Sequence, residues 1–371
     1  MKVCHVTSSH NRYDGRIFHK ECISLSKNYE VSLLCSDGLK NENKNGISIK
    51  STKGNTKNRL HRFLLNPIKL KKLCLKENAD VYHFHDPELI SVASYLKKKN
   101  KIVIFDSHED NVNRISNRTW IPKIIRPLVK KIYEKKERTI FSKIDGVITV
   151  TEHIYKRIKQ INTNTIIITN FPILSEYKSK TSKKNILCFA GGITKQYMHH
   201  NIISAIKHLD VEYKLAGKIN SNYRDFLQKI EGVEKTEFVG LLDKEKLKEF
   251  YESSSIGMVL IDYVPNINYK EGSIGITKIF EYMMAGLPII ATDLEVWKEF
   301  VPNNCGICVN PNNIEEVKSA IEYLIKHPKE AKKMGEKGRK LVEEKYNWNS
   351  QEIILLAFYK KMEKKYEKNR K

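Results

Sequence analysis

Residues 170–192 read NFPILSEYKSKTSKKNILCFAGG, and the architecture hinges on them. The stretch opens polar and lysine-rich around Pro172, the composition of a linker, and closes on an apolar β-rich run, 186–190, followed by Gly191-Gly192. A helical pattern over 201–208 and a strand over 212–216 come next, so a β-α-β unit starts at Ile186. Upstream, the chain opens in the same way, with a strand over 2–7, a helical pattern over 16–26 and a strand over 30–35. Strand-like runs at 80–85, 101–106, 146–151 and 165–169 continue the first half; runs at 236–239, 256–261, 287–292 and 306–310, with helices over 244–251 and 277–285, continue the second. Strands alternating with helices predict parallel sheets covered on both faces. The expectation is α/β: two Rossmann-like doubly wound domains, 1–170 and 186–349, joined by a linker over 171–185. A helix from Trp348 closes the chain, and its lysine-rich tail, EKKYEKNRK, is expected to fray.

Composition limits the function classes. Seven cysteines scattered from Cys4 to Cys308 do not make the dense even framework of a small secreted protein, and are expected to be reduced. Cys305-Gly-Ile-Cys308 has redox or zinc spacing but no second pair, and reads as a buried strand. No long uncharged apolar run occurs, and MKVCHVTSSHN lacks an apolar signal core, so the expected location is cytoplasmic. The net charge of +23 calls for nucleic acid, an anionic membrane surface or an acidic substrate, without choosing among them. Residues 58–76 and 120–136 mix basic and apolar side chains; they suit a membrane interface, or equally a core face with solvated lysines.

Neither first turn carries Gly-x-Gly-x-x-Gly and no P-loop occurs, so dinucleotide oxidoreductases and P-loop enzymes lack their phosphate fingerprints. The informative stretch is 269–293, YKEGSIGITKIFEYMMAGLPIIATD. A glycine-containing loop opens a helix, so N–H groups at Gly275, Ile276 and Thr277, with Lys278 beside them, suit a diphosphate. Glu281, expected in the helix's second turn, can accept hydrogen bonds from two vicinal hydroxyls such as those of a ribose. A surface helix with a solvated Glu is the plainer alternative.

KIFEYMMAGLPIIATD resembles the donor-binding motif of retaining glycosyltransferases of family four (glycosyl transferases group 1), which have the GT-B fold. In that family two glutamates with seven residues between them flank the loop. The resemblance implies that Glu281 is the second and binds the nucleotide ribose. The first falls on Ser273, at the donor sugar; Glu271 is near but differently spaced. HNRYDGRIFHKE (10–21) resembles the first loop of a branch of the family, implying His10, Asp14, Gly15 and Arg16 near acceptor and phosphate groups. VYHFHDPEL (81–89) and FDSHED (105–110) resemble two strand ends, and His108 matches a histidine placed on the donor sugar. For His83, His85 and Asp86, an acceptor role and plain loop packing both stand. After Gly191-Gly192 the family has a basic residue on the diphosphate; here Lys195 is displaced, and either reaches the phosphates or is solvated, with Lys278 the better placed cation.

The resemblance further implies a cleft between the domains as active site, a final helix over about 350–371 packing back on the first domain, and transfer with retention. No Asp-x-Asp motif and no His/Glu cluster at zinc spacing occurs, so no metal and no cofactor is expected. The expected partners are a nucleotide-sugar donor, a saccharide or lipid-linked saccharide acceptor and an anionic membrane surface, the enzyme then lying peripherally at the inner face of the cell membrane; nucleic acid is not expected. The expected activity is glycosyl transfer in surface polysaccharide or glycan biosynthesis. Two rivals share the scaffold: a nucleotide-sugar epimerase, which would turn over donor without acceptor, and a non-catalytic protein binding a membrane or nucleic acid, which would not turn over donor at all.

Overall fold

The computed structural model describes residues 1–53, 61–116, 121–177 and 185–370. Asn58, the start of the first basic apolar segment, Trp120, which opens the second, and the linker residues 178–184 lie outside the described residues. The chain divides into two units, 1–170 with 349–371, and 171–348.

In the first unit the strands are β1 (Lys2–Val6), β2 (Glu30–Cys35), β3 (Glu42–Lys44), β4 (Ile47–Ser51), β5 (Val81–Phe84), β6 (Ile102–Ser107), β7 (Gly146–Thr149) and β8 (Thr165–Ile167). They form one sheet in the order β3-β4-β2-β1-β5-β6-β7-β8. The sheet is parallel except at β3, which pairs antiparallel with β4 through a turn at Asn45-Gly46, both at positive φ. The sequence reading has no strand there: the run is short, polar and at the sheet edge, and only the Asn-Gly dipeptide marks the hairpin.

Strand alternation sorts the core. Cys4, Val6, Tyr82, Phe84, Val103 and Phe105 point to one face and form an apolar cluster with Leu70, Leu89 and Phe141. Their neighbours His5, His83 and Asp106 point to the other face, and are equally buried. The segment covering that face departs from the expected α-helix. Ile17–Cys22 is wound as a π-type turn, with N–H bonds reaching back five residues from His19 to Asp14 (3.2 Å) and from Glu21 to Arg16 (2.9 Å). The wider winding puts Arg16 and Glu21 on one side.

The final helix, Trp348–Arg370, packs in the first unit, where the Tyr359 hydroxyl meets His83 Nδ1 at 2.9 Å. The helix runs to Arg370, and within its lysine-rich tail Lys365 Nζ lies 2.6 Å from the buried Asp145 carboxylate.

The second unit has β9 (Ile186–Ala190), β10 (Glu212–Ala216), β11 (Thr236–Gly240), β12 (Ile256–Val259), β13 (Ile289–Thr292) and β14 (Gly306–Val309), all parallel, in the order β11-β10-β9-β12-β13-β14. Each face has its own core: Cys188, Val259 and Ala291 join one cluster, Leu187, Phe189, Met258 and Ile290 the other. All seven cysteines are free; Cys305 precedes the short β14 and Cys308 lies within it.

Candidate active site

In the second unit, the carboxyl ends of β9 and β10 and the helix Lys278–Met284 enclose a pocket of about 460 Å³. Its lining includes Gly191, Gly192, Lys218, Tyr251, Lys278 and Glu281. The turn after β9 and the turn after β10 touch: a Cβ on Gly217, at φ +146, would lie 1.7 Å from the Gly191 carbonyl oxygen. A Cβ on Gly191, at φ +145, would lie 2.3 Å from Cε of Lys278. Glycine at both positions lets the strand ends close and the lysine stem lie across them. Lys278 Nζ donates to the Tyr197 hydroxyl at 3.3 Å and sits 4.8 Å from that ring's centroid.

Glu281 is the fourth residue of its helix, in the first turn and not the second, because the helix starts only at Lys278. Its Oε2 accepts from the Tyr251 hydroxyl at 2.9 Å. Burial, then the Glu281 charge, pushes the Tyr251 pKa well up, so that hydroxyl remains a donor.

The loop before the helix differs from the sequence reading. Ser273 is buried, and its hydroxyl accepts from the Gly275 N–H at 3.1 Å, so that N–H is already partnered. A short serine side chain readily folds onto backbone two residues on. Thr277 lines the pocket; Gly275 and Ile276 do not, and Ile276 packs on the core. Lys195 lines a different depression, with Asn220 and Tyr223. Lys218 and Tyr251 were missed. Lys218 follows Ala216-Gly217 at a strand end, a readable signal; Tyr251 sits on an amphipathic helix and carries none.

In the first unit the motif residues gather at the carboxyl ends of β1, β5 and β6. Asp86 is buried and accepts from Thr7 Oγ1 (2.6 Å), the Ser8 N–H (2.7 Å) and the Ser9 hydroxyl, holding that turn together. His10 Nδ1 lies 3.2 Å from Asp86 Oδ1. Burial alone would lower the His10 pKa, but the Asp86 hydrogen bond and charge outweigh it and raise it. Asp14 Oδ1 accepts the N–H groups of Arg16 (2.8 Å) and Ile17 (2.9 Å) and so starts the π-type turn. Gly15 has open space where a Cβ would be.

Arg16, expected near phosphate groups, is 4% exposed and committed inside the unit. It pairs with Asp106 through Nε (2.9 Å) and Nη2 (3.2 Å), donates to the Ile168 carbonyl, and has Glu21 at 3.0 Å. Burial would raise the Asp106 pKa, but Arg16 and then His108 hold it well below the carboxylate range. His108 follows β6 directly; its Nε2 lies 2.8 Å from Asp106 Oδ2 and 3.2 Å from His85 Nδ1.

His5, Glu21, His83 and His85, which have no zinc-like spacing along the chain, are brought together by the fold, each buried, with ligand atoms within 4.8 Å of one another. Three different elements supply them, so linear spacing carried no sign of it. Burial, aided by the His85 charge, keeps the pKa values of His5 and His83 well below the usual histidine range, and burial lowers His85 to about 4.

Residues 171–341 match the family model described as glycosyl transferases group 1, and residues 16–171 match the one described as Glycosyltransferase Family 4. No curated protein sequence matches the chain. Among solved structures it is similar to a sucrose-phosphate synthase from Thermosynechococcus elongatus, with TM-score 0.78 at 14% identity over 97% of this chain and 98% of that one. HepE from Anabaena, solved with UDP and glucose, gives 0.72 at 11% identity over 97% and 99%. A glycosyltransferase from Rickettsia africae gives 0.68 at 17% identity over 97% and 98%. Identities this low carry the fold alone. With family models spanning residues 16–341 and two parallel-sheet α/β units, the chain belongs to the group 1 glycosyltransferases and is an enzyme of GT-B fold.

Proposed function

We propose that this glycosyltransferase moves a sugar from a nucleoside-diphosphate donor to a saccharide or lipid-linked saccharide acceptor, with retention at the anomeric carbon, in surface polysaccharide or glycan synthesis. The observation that carries the reading is the pocket of about 460 Å³ joining one carboxylate, Glu281, to two lysines, Lys218 and Lys278, at glycine-lined strand ends. That volume falls within the range of about 300–1,000 Å³ usual for small-molecule sites. HepE structures hold UDP and UDP-glucose, which favours a nucleotide of this kind as donor.

In this reading Glu281, steadied by Tyr251, accepts hydrogen bonds from the ribose, while the lysines meet the diphosphate. Departure of the diphosphate leaves an oxocarbenium-like centre, and fixed cations stabilise the charge growing on the leaving oxygen. The leaving phosphate takes the acceptor proton. Ser273 and His108 act on the transferring sugar, and the step needs no added Mg²⁺ or Mn²⁺. A thermal-shift panel of nucleoside diphosphates and nucleotide sugars tests the reading, since a ligand of the native state raises its melting point. A flat response across the panel would overturn it, and donor epimerised without acceptor would favour the epimerase.

A lipid-linked acceptor is favoured by the surface of the first unit. No described helix is long and apolar enough to cross a membrane. Phe63, Leu64, Ile68 and Leu75 are nonetheless exposed beside Lys72 and Lys76, and Ile124 (93% exposed), Leu128 and Ile132 beside Lys123, Lys131 and Lys135. Apolar side chains interleaved with lysines suit an anionic bilayer surface, with the enzyme on its cytoplasmic side.

A further inference from the structure

We propose that His5, Glu21, His83 and His85 form a structural site for a divalent transition-metal ion, zinc by the nature of its donors, inside the first unit and separate from the donor pocket. The four come from β1, the π-type turn and the end of β5, and the imidazole centroids of His5–His83, His5–His85 and His83–His85 lie 4.6, 5.1 and 4.5 Å apart. His5 Nδ1, His83 Nδ1 and His85 Nε2 stand 3.9, 4.0 and 3.9 Å from Glu21 Oε2. His5 Nδ1 and His85 Nε2 are hydrogen-bonded to each other at 2.9 Å, a pairing the ion would replace. Ligands on a tetrahedral zinc, with bonds of about 2.0–2.1 Å, stand roughly 3.4 Å apart, so these two atoms would part slightly and Glu21 move in.

Two further observations point to an ion. First, among the described residues the buried atoms His5 Nε2, His83 Nε2 and both Glu21 oxygens have no hydrogen-bond partner. Buried polar groups are normally satisfied, and a cation is the partner that four such groups can share. Glu21 does have the Arg16 guanidinium at 3.0 Å, but that group is engaged in a two-pronged pair with Asp106, which matches its charge. Second, the outer side of the cluster has the form of a metal site: His83 Nδ1 is held by the Tyr359 hydroxyl at 2.9 Å, and His85 Nδ1 lies 3.2 Å from His108 and 3.7 Å from Asp106. Such outer contacts fix ring orientation and tautomer. With Nδ1 of His83 engaged by Tyr359, its Nε2 is the nitrogen offered to the ion.

Three imidazoles and one carboxylate suit zinc, and four buried protein ligands leave no open position for a substrate. The ion would tie the first turn of the chain to the middle of the sheet. This is independent of the donor reading, which rests on the other unit.

The test is the metal content of the full chain, expressed with zinc in the medium, freed of any histidine tag and measured by plasma mass spectrometry. About one zinc per chain is expected, falling below about one tenth in the double variant His5→Gln/His83→Gln. Should that variant fail to fold, cobalt(II) exchanged into the wild type decides: intense four-coordinate visible bands support the site. A wild type with less than about one tenth of an equivalent, zinc retained by a folded double variant, or a weak six-coordinate cobalt spectrum would each overturn it.

Discussion

Glu281 and Tyr251 are joined by a 2.9 Å hydrogen bond in which the buried phenol donates to the carboxylate. Since the phenol uses one oxygen, the carboxylate keeps acceptor capacity for a ligand. Glu281→Ala should weaken a matching nucleoside diphosphate by about ten- to a hundred-fold, for a charged hydrogen bond of roughly 1.5–3 kcal/mol. Tyr251→Phe, which only lets the carboxylate swing, should cost up to about ten-fold. Calorimetric titration of both variants and their combination is the check. The combination should be no weaker than Glu281→Ala alone; additive losses would mean that Tyr251 acts by another route.

Gly191→Ala places a methyl against Lys278 and forces an L-residue to φ +145. The expected cost is about 1–3 kcal/mol of stability, with weakened diphosphate binding. Adding Lys278→Ala should recover part of the melting temperature and none of the binding. Full recovery of both would show that Lys278 contributes nothing to the pocket.

His108→Ala should leave binding of the free nucleoside diphosphate unchanged and lower turnover, because this side chain is assigned to the transferring sugar. Paired titration and initial-rate measurements separate the two. Weaker diphosphate binding with unchanged turnover would remove His108 from the sugar.

His199 is buried in the second unit, with Nδ1 2.8 Å from the Tyr213 hydroxyl, and burial, then the His200 and Lys278 charges, lowers its pKa to about 3. The folded state therefore binds fewer protons than the unfolded chain between about pH 3 and 6.5, so stability falls as the pH drops through that window. At about 1.4 kcal/mol per unit, going from pH 7 to pH 5 should cost roughly 2 kcal/mol at this residue. Urea unfolding of wild type and His199→Gln at both pH values should show their difference shrinking at pH 5. A constant difference would exclude His199 as a source of acid sensitivity.

Vesicle sedimentation tests the basic apolar surface. Binding is expected to anionic vesicles at low salt, to fall steeply with salt, and to drop on Ile124→Ser/Leu128→Ser with activity on soluble substrates unchanged. Equal binding to neutral and anionic vesicles would argue against this surface.

Two parallel α/β units were legible in residue order alone, because a buried parallel strand is a contiguous apolar run and its crossover helix a contiguous periodic one. The place of Glu281 on a helix at the pocket was legible for the same reason: loop, helix and strand lie in one segment, 269–293. Other features were settled only when distant segments met. Ser273 turned out to satisfy Gly275, and Arg16 to be spent on Asp106, 90 residues away. The π-type turn hid because one extra residue per turn breaks the helical period from which a sequence is read. Lys218 and Tyr251 entered the pocket through strand order and helix packing. His5, Glu21, His83 and His85 fall in three separate segments, and only the pairing of β1 with β5 and the π-type turn lying over that face, not spacing along the chain, bring them together.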